Sequence, residues 1–83
     1  MSQINQAEFM RMFAEVLEVD PRALSEQSSP ENVQGWDSAK SMEIVISMEE
    51  AFNVEFSATE LAGMTSIGAA KEILTERGIV ILE

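Results

Sequence analysis

One serine at the start of an amphipathic run is the residue of this chain best placed to do chemistry. Ser38 closes the tetrapeptide Gly35-Trp36-Asp37-Ser38 and precedes a run that continues to Phe52. The 83 residues include neither cysteine nor histidine, so the chain supplies no thiol nucleophile, no histidine base and no histidine metal ligand. These residue types favour a serine that another protein modifies over a serine that catalyses a reaction.

Ser38 also has a simpler interpretation. Serine and aspartate are preferred at helix N-caps, so Asp37 and Ser38 together can serve only to start a helix. Three features favour a modification site instead. A helix N-terminus has free N–H groups and the positive end of the macrodipole, which stabilise a phosphate. A long loop precedes the serine, and no histidine is available to activate it. We therefore predict that Ser38 holds a phosphodiester.

Composition limits the classes of function. A chain of this length with 46% hydrophobic residues predicts one small domain, residues 1–83. Fifteen acidic against five basic residues give a net charge of −10, which argues against nucleic acid and anionic membranes and predicts basic partners. With no signal-peptide pattern and no apolar run of about 20 residues, we expect a cytoplasmic monomer that does not insert into membranes.

The first helix is predicted from about Gln3 to Glu18, because apolar residues recur there at three- and four-residue intervals. These residues are Phe9, Met12, Phe13, Val16 and Leu17. Pro21 ends the helix, since a proline disfavours helical backbone in the residue before it. A polar loop follows from Arg22 to Gly35, and we expect apolar side chains in and next to it to hold it to the core. They are Leu24, Val33 and Trp36.

The second helix, Ser38 to about Phe52, carries two apolar stripes when its residues are placed 100° apart. The predicted core stripe consists of Ser41, Ile44, Val45, Met48, Ala51 and Phe52. The other stripe consists of Ala39, Met42 and Ile46, with Glu43, Glu49 and Glu50 at its edges. An exposed apolar strip with carboxylates is typical of a docking surface. Contact with a neighbouring loop and ordinary solvated charge explain the pattern equally well.

Two further helices complete the prediction. Ser57-Ala58-Thr59-Glu60 has the form of a capping box, so a short third helix begins there and ends by Gly63. Thr65 or Ser66 caps a fourth helix that ends near Arg77, before Gly78. Its core stripe is Ile67, Ala70, Ile73 and Leu74. The sequence leaves open whether the apolar tail Ile79–Leu82 folds back on the bundle or contacts a partner. The predicted fold is an all-α four-helix bundle with a long first loop.

Three segments of the chain together resemble the acyl carrier protein family. They are Gly35-Trp36-Asp37-Ser38, Met42-Glu43-Ile44-Val45 and Glu49-Glu50-Ala51-Phe52. The resemblance covers nearly the whole chain and implies a four-helix bundle with 4′-phosphopantetheine on Ser38. A separate phosphopantetheinyl transferase attaches this group from coenzyme A. Acyl groups are then carried as thioesters on its terminal thiol, which is why the chain needs no cysteine of its own.

The same resemblance implies roles for other residues. Asp37 helps the transferase to recognise the site, and the second helix faces acyl-loading and acyl-processing enzymes with basic docking patches. The partner-facing positions are Ala39, Lys40, Met42, Glu43, Ile46, Glu49 and Glu50. The family also shelters its acyl chain in a cavity between helices. Met48, Phe52 and Ile67 are candidate lining residues for that cavity, although a purely structural core role explains them better.

Two positions depart from the family pattern. The leucine and the acidic residue that usually follow the aspartate–serine pair are Ala39 and Lys40 here. Lys40 places a positive charge beside the modified serine, where it can pair with the phosphodiester or repel a basic partner. These departures argue against a role with the general fatty-acid synthase enzymes. The Gly35-Trp36-Asp37-Ser38 form resembles stand-alone carriers of specialised pathways, such as polyketide, unusual-lipid or extender-unit synthesis.

Three functions therefore remain under consideration. The first is a non-catalytic acyl carrier that presents intermediates to enzymes of fatty-acid, polyketide or specialised lipid synthesis. The second is an aminoacyl or peptidyl carrier of a nonribosomal pathway, with the same cofactor. The third is an unmodified acidic helical module that binds a basic partner through Met42, Ile46 and the neighbouring glutamates. An enzyme is the weakest alternative, and we predict no catalytic or metal-binding residues.

Overall fold

The computed structural model describes residues 3–82, which form four helices and a two-stranded sheet. The helices are α1 (Gln6–Leu17), α2 (Ser38–Phe52), α3 (Ala58–Gly63) and α4 (Ile67–Glu76). The strands are β1 (Gln3–Asn5) and β2 (Val80–Leu82). The predicted helical bundle is therefore confirmed, with a short third helix, a long loop after the first helix, and a small sheet in addition.

The two ends of the described chain pair with each other. β1 and β2 form a parallel ladder in which Gln3, Ile4 and Asn5 are opposite Val80, Ile81 and Leu82. The prediction of a helix from Gln3 is therefore wrong over the three residues of β1. α1 begins after Asn5, whose side-chain oxygen accepts a hydrogen bond from the Glu8 N–H at 2.7 Å. The apolar tail, whose contacts the sequence left open, pairs with β1 as strand β2.

Apolar side chains from three helices and the loop form one core. α1 contributes its predicted stripe, with Phe9, Phe13 and Leu17 buried. The rings of Phe9 and Phe13 meet edge to face with centroids 5.2 Å apart, and Phe13 lies 6.1 Å from the Trp36 ring. The remaining buried apolar residues of the helices include Ile44, Met48, Phe52, Ile67, Ala70, Ile73 and Leu74. Trp36 thus fixes the end of the loop that leads into α2.

The long loop is joined to the start of α4 by backbone hydrogen bonds. The Ile67 N–H donates to the Ser28 carbonyl oxygen at 3.0 Å, and the Gly68 N–H donates to the Glu26 carbonyl oxygen at 2.9 Å. The approach is so close that a Cβ on Gly68 would lie 3.0 Å from that Glu26 oxygen. These bonds satisfy two of the N–H groups that a helix leaves unpaired at its N-terminus. Within the loop, Pro21–Ala23 form a single 3₁₀ turn that the sequence did not predict.

The bounds of the later helices agree closely with the predictions. α2 occupies the predicted residues, α3 has the predicted capping box at Ser57, and Ser66 caps α4. Gly78 follows α4 with φ +86°, a conformation that glycine adopts without strain. One core assignment on α2 is wrong. Ala51 is exposed, because it lies at the edge of the buried stripe rather than within it.

Candidate functional site

Ser38 is the first residue of α2 and is exposed. Asp37 is the N-cap, and its side-chain oxygen accepts a hydrogen bond from the Lys40 N–H at 2.9 Å. Among the hydrogen bonds of residues 3–82, none is donated by the backbone N–H of Ser38 or Ala39. Two uncommitted donors at the positive end of a 15-residue helix fit a phosphate esterified to the Ser38 hydroxyl.

An open groove runs from Ser38 between α2 and α3. Its α2 wall includes Met42, which is 53% exposed, and Val45, which is partly buried. Leu61 of α3 forms the facing wall, and Pro30 of the long loop closes one side. The full lining consists of Pro30, Asp37, Ser38, Ser41, Met42, Val45 and Leu61. An apolar chain attached through Ser38 therefore has apolar surface directly beside it.

A small, partly open cavity of about 50 Å³ adjoins this groove. The groove and the cavity share Ser41, Val45 and Leu61 as lining residues, so these three side chains border both spaces. The full lining of the cavity is Phe13, Trp36, Ser41, Ile44, Val45, Met48, Leu61, Met64, Ser66 and Ala70. One of the three candidate lining residues, Met48, is therefore in the cavity wall. The other two, Phe52 and Ile67, are buried elsewhere in the core.

A side-chain hydrogen bond joins two of the residues that line this cavity. The Trp36 indole N–H donates to the Ser41 hydroxyl oxygen at 2.8 Å. Trp36 is 7% exposed, so a buried indole donor has the partner that it needs. Helical periodicity placed Ser41 on the core face of α2 but did not predict its hydrogen bond with Trp36 or the place of Leu61 in the groove wall. The only sequence signal for this hydrogen bond is that Trp36 and Ser41 are five residues apart and lie on either side of the helix N-cap, Asp37.

The second apolar stripe of α2 is exposed, as an interaction surface requires. Ala39 is exposed, and Met42 and Ile46 are 53% and 47% exposed. Of the flanking glutamates, Glu43 and Glu50 are also exposed. The structure thus favours an unpacked strip over contact with a neighbouring loop.

Glu49 differs from the other two glutamates. It is partly buried, and its carboxylate accepts a hydrogen bond from the Phe56 N–H at 2.9 Å. This bond joins α2 to the connection before α3. Glu49 therefore has a structural role beside any contact that it makes with a partner.

Lys40 is turned toward α1 and pairs with carboxylates of this chain. Its ammonium nitrogen lies 3.6 Å from Glu43 and 3.8 Å from Glu18. From the sequence, Lys40 was expected to pair with the phosphodiester or to repel a basic partner, and its pairing with Glu18 was not predicted. The pairing with Glu18 requires the tertiary contact between α1 and α2, which no local pattern predicts.

Two negative findings concern residues 3–82. These residues contain no group of histidine, cysteine, aspartate and glutamate side chains suited to hold a metal ion. None of the four helices within this range is long and apolar enough to cross a lipid bilayer.

Comparison with known proteins identifies the family. Residues 7–74 match the family described as "Phosphopantetheine attachment site". The fold is similar to a solution NMR structure of holo acyl carrier protein from Geobacter metallireducens, with a TM-score of 0.74 and 22% identity. The matched region covers 83% of this chain and 79% of that one.

Carrier proteins of this kind are generally non-catalytic, and they generally work with a phosphopantetheinyl transferase and with partner enzymes. The family match includes Ser38 and all of α2. The family and cofactor expected from the sequence are both confirmed. This chain belongs to the family of proteins with a phosphopantetheine attachment site, it has the fold of an acyl carrier protein, and its cofactor is covalently attached 4′-phosphopantetheine.

Proposed function

We propose that this protein is an acyl carrier whose 4′-phosphopantetheine is attached to Ser38. The observation that carries the proposal is the placement of that hydroxyl. It is exposed at the first position of α2, next to two uncommitted N–H groups and at one end of an apolar groove. The other two serines at helix N-termini in residues 3–82, Ser57 and Ser66, use their hydroxyl oxygens to cap α3 and α4.

The cofactor supplies a terminal thiol on which an acyl group is held as a thioester. The residues of the chain have two tasks. The N-terminus of α2 stabilises the phosphate through its free N–H groups and macrodipole. Met42, Val45 and Leu61 provide apolar surface along the groove, which lowers the cost of exposing an acyl chain to water.

The exposed strip of α2 is the proposed docking surface for the transferase and for acyl-loading and acyl-processing enzymes. Ala39, Met42 and Ile46 supply apolar contact. Glu43 and Glu50 attract basic patches on those enzymes and raise the rate of encounter. Lys40, Glu49 and Asp37 lie on the same helix or at its cap, with Asp37 next to the modified residue.

The pathway proposed is fatty-acid, polyketide or specialised lipid synthesis in the cytoplasm. We take residues 1–83 as one carrier domain that acts as a monomer and catalyses no step itself. Its contribution is to tether an intermediate, which raises the effective concentration of that intermediate at successive enzymes.

The test compares two serine variants on the same helix. Unmodified protein is incubated with coenzyme A and a broad-specificity phosphopantetheinyl transferase, and its intact mass is measured. We expect one added phosphopantetheine on wild type and on Ser47→Ala, and none on Ser38→Ala. Ser47 is a suitable control because it lies on α2 but outside the groove. Loading of folded Ser38→Ala would show that the assignment is wrong.

A further inference from the structure

α3 forms one wall of the groove without burying any residue. It has six residues, and none of them is buried. Its apolar contact with the rest of the molecule comes from Leu61 and from Met64 at its C-cap, both partly buried. Both residues line the inner cavity, and Leu61 also lines the groove beside Ser38. A short helix with so little buried surface needs other contacts to keep it in place.

Arg77, the C-cap residue of α4, supplies such contacts. Its guanidinium group donates to both carboxylate oxygens of Glu60 on α3, with Nε 2.7 Å from Oε2. The same group donates to the Glu55 carbonyl oxygen at 2.6 Å and lies 5.8 Å from the centre of the Phe56 ring. One side chain therefore joins α4 to α3 and to the connection between α2 and α3.

Glu60 takes part in two local structures at once. Its carboxylate also accepts a hydrogen bond from the Ser57 N–H at 2.9 Å, which completes the capping box of α3. The ion pair with Arg77 and this backbone bond lower the pKa of Glu60 to about 2, so the carboxylate stays ionised at neutral pH. A bidentate arginine–carboxylate pair fixes orientation as well as distance.

From these contacts we propose that Arg77 is a positioning residue, which holds α3 in place beside α2 and so limits access from the groove beside Ser38 to the inner cavity. The part of the proposal that concerns cargo rests on the proposed function. The part that concerns α3 does not, because unmodified protein is sufficient to test it.

Trp36 provides the measurement. It is the single tryptophan of the chain, and its buried indole lines the same cavity as Leu61 and Met64. Displacement of α3 exposes this indole to small quenchers while the core of α1, α2 and α4 remains folded. Acrylamide quenching of Trp36 fluorescence in unmodified protein therefore reports the closure of the α3 wall.

Two variants break the pair from opposite sides, and a third serves as the control. Arg77→Gln removes the guanidinium group, whereas Glu60→Gln removes only the charge, since glutamine also completes a capping box. Arg22→Gln removes a comparable bidentate pair with Asp20, which lies two residues away and joins no separate elements. We expect the acrylamide quenching constant to rise about twofold or more in Arg77→Gln and in Glu60→Gln, because the α3 wall then opens locally. The constant should stay at the wild-type value in the control, Arg22→Gln.

Two results of the quenching experiment would overturn the proposal. Wild-type quenching in folded Arg77→Gln and Glu60→Gln, with helical content checked by circular dichroism, would overturn the proposal. An equal rise in Arg22→Gln would do the same, because it would indicate general loosening. Arg77→Lys keeps a cation and should give an intermediate value. If Arg77→Gln does not fold, Glu60→Gln and Arg77→Lys decide the outcome. Failure of Ser38 loading would leave this measurement unaffected.

Discussion

The two walls of the groove beside Ser38 are built in different ways. α2 has 15 residues and buries Ile44, Met48 and Phe52 in the core. α3 has six residues and buries none, and polar contacts from Ser57 and Arg77 hold its N-terminal half. The wall that carries the proposed attachment site is thus fixed by apolar packing. The wall that faces it is fixed mainly by hydrogen bonds and one ion pair.

This difference has a physical consequence for a carrier. Buried apolar packing is lost only when the domain unfolds, whereas polar contacts at a partly exposed helix can open locally. The attachment serine can therefore keep a constant position for partner enzymes while the opposite wall opens and closes around the cargo. The predictions that follow test whether α2 and α3 differ in this way.

The largest expected effect comes from matched methionine substitutions on the two walls. Met48 of α2 is 1% exposed, and Met64 at the end of α3 is partly exposed. Met48→Ala should lower the free energy of unfolding by about 2–5 kcal/mol, because it leaves a cavity in the core. Met64→Ala should lower it by about 1 kcal/mol, since less apolar area is lost. Urea unfolding of the three proteins measures both values, and equal losses would contradict the difference between the walls.

A third methionine distinguishes the two faces of α2 itself. Met42 is 53% exposed and belongs to the proposed docking surface. Met42→Ala should change the free energy of unfolding by less than about 0.5 kcal/mol. It should lower kcat/KM of the transferase about fivefold, which corresponds to about 1 kcal/mol of lost binding. Unchanged kcat/KM would remove Met42 from the docking surface.

The smallest expected effect is a pH dependence at α3. The pKa of Glu60 is lowered from 4.5 to about 2 by its pairing with Arg77. A carboxylate with a depressed pKa stabilises the folded state fully above its unfolded pKa, and this stabilisation is lost as pH falls through the folded value. The difference in Tm between wild type and Glu60→Gln should therefore be constant above about pH 5 and shrink toward pH 2. Thermal scans at pH 7, 4.5, 3 and 2 give this difference, and a constant value across the range would contradict the assigned pair.

The sequence was sufficient to predict features that depend on neighbouring residues. The bounds of α2 follow from Asp37 as N-cap and from a helix interior without glycine or proline. The capping box at Ser57 predicted the start of α3 for the same local reason. Helical periodicity placed Met42 and Ile46 on a second stripe of α2 but left open whether a loop covers them, and the structure leaves both exposed.

Features that join distant residues were missed. Gln3–Asn5 pair with Val80–Leu82 across almost the whole chain, and a three-residue strand has no recognisable alternation of its own. The Arg77–Glu60 pair spans 17 residues, and neither residue differs in sequence from an ordinary surface charge. Such contacts depend on how the helices pack, which a single sequence without its structure does not specify.

The attachment of the cofactor to Ser38 is the central claim, and peptide mapping tests it most directly. Wild-type protein is loaded with phosphopantetheine from coenzyme A, digested, and its peptides are sequenced by tandem mass spectrometry. We predict one modified peptide, with the added mass on Ser38 and none on Ser41 or Ser47. An added mass on any other residue, or folded and initially unmodified protein that accepts no phosphopantetheine from any transferase tested, would contradict this account.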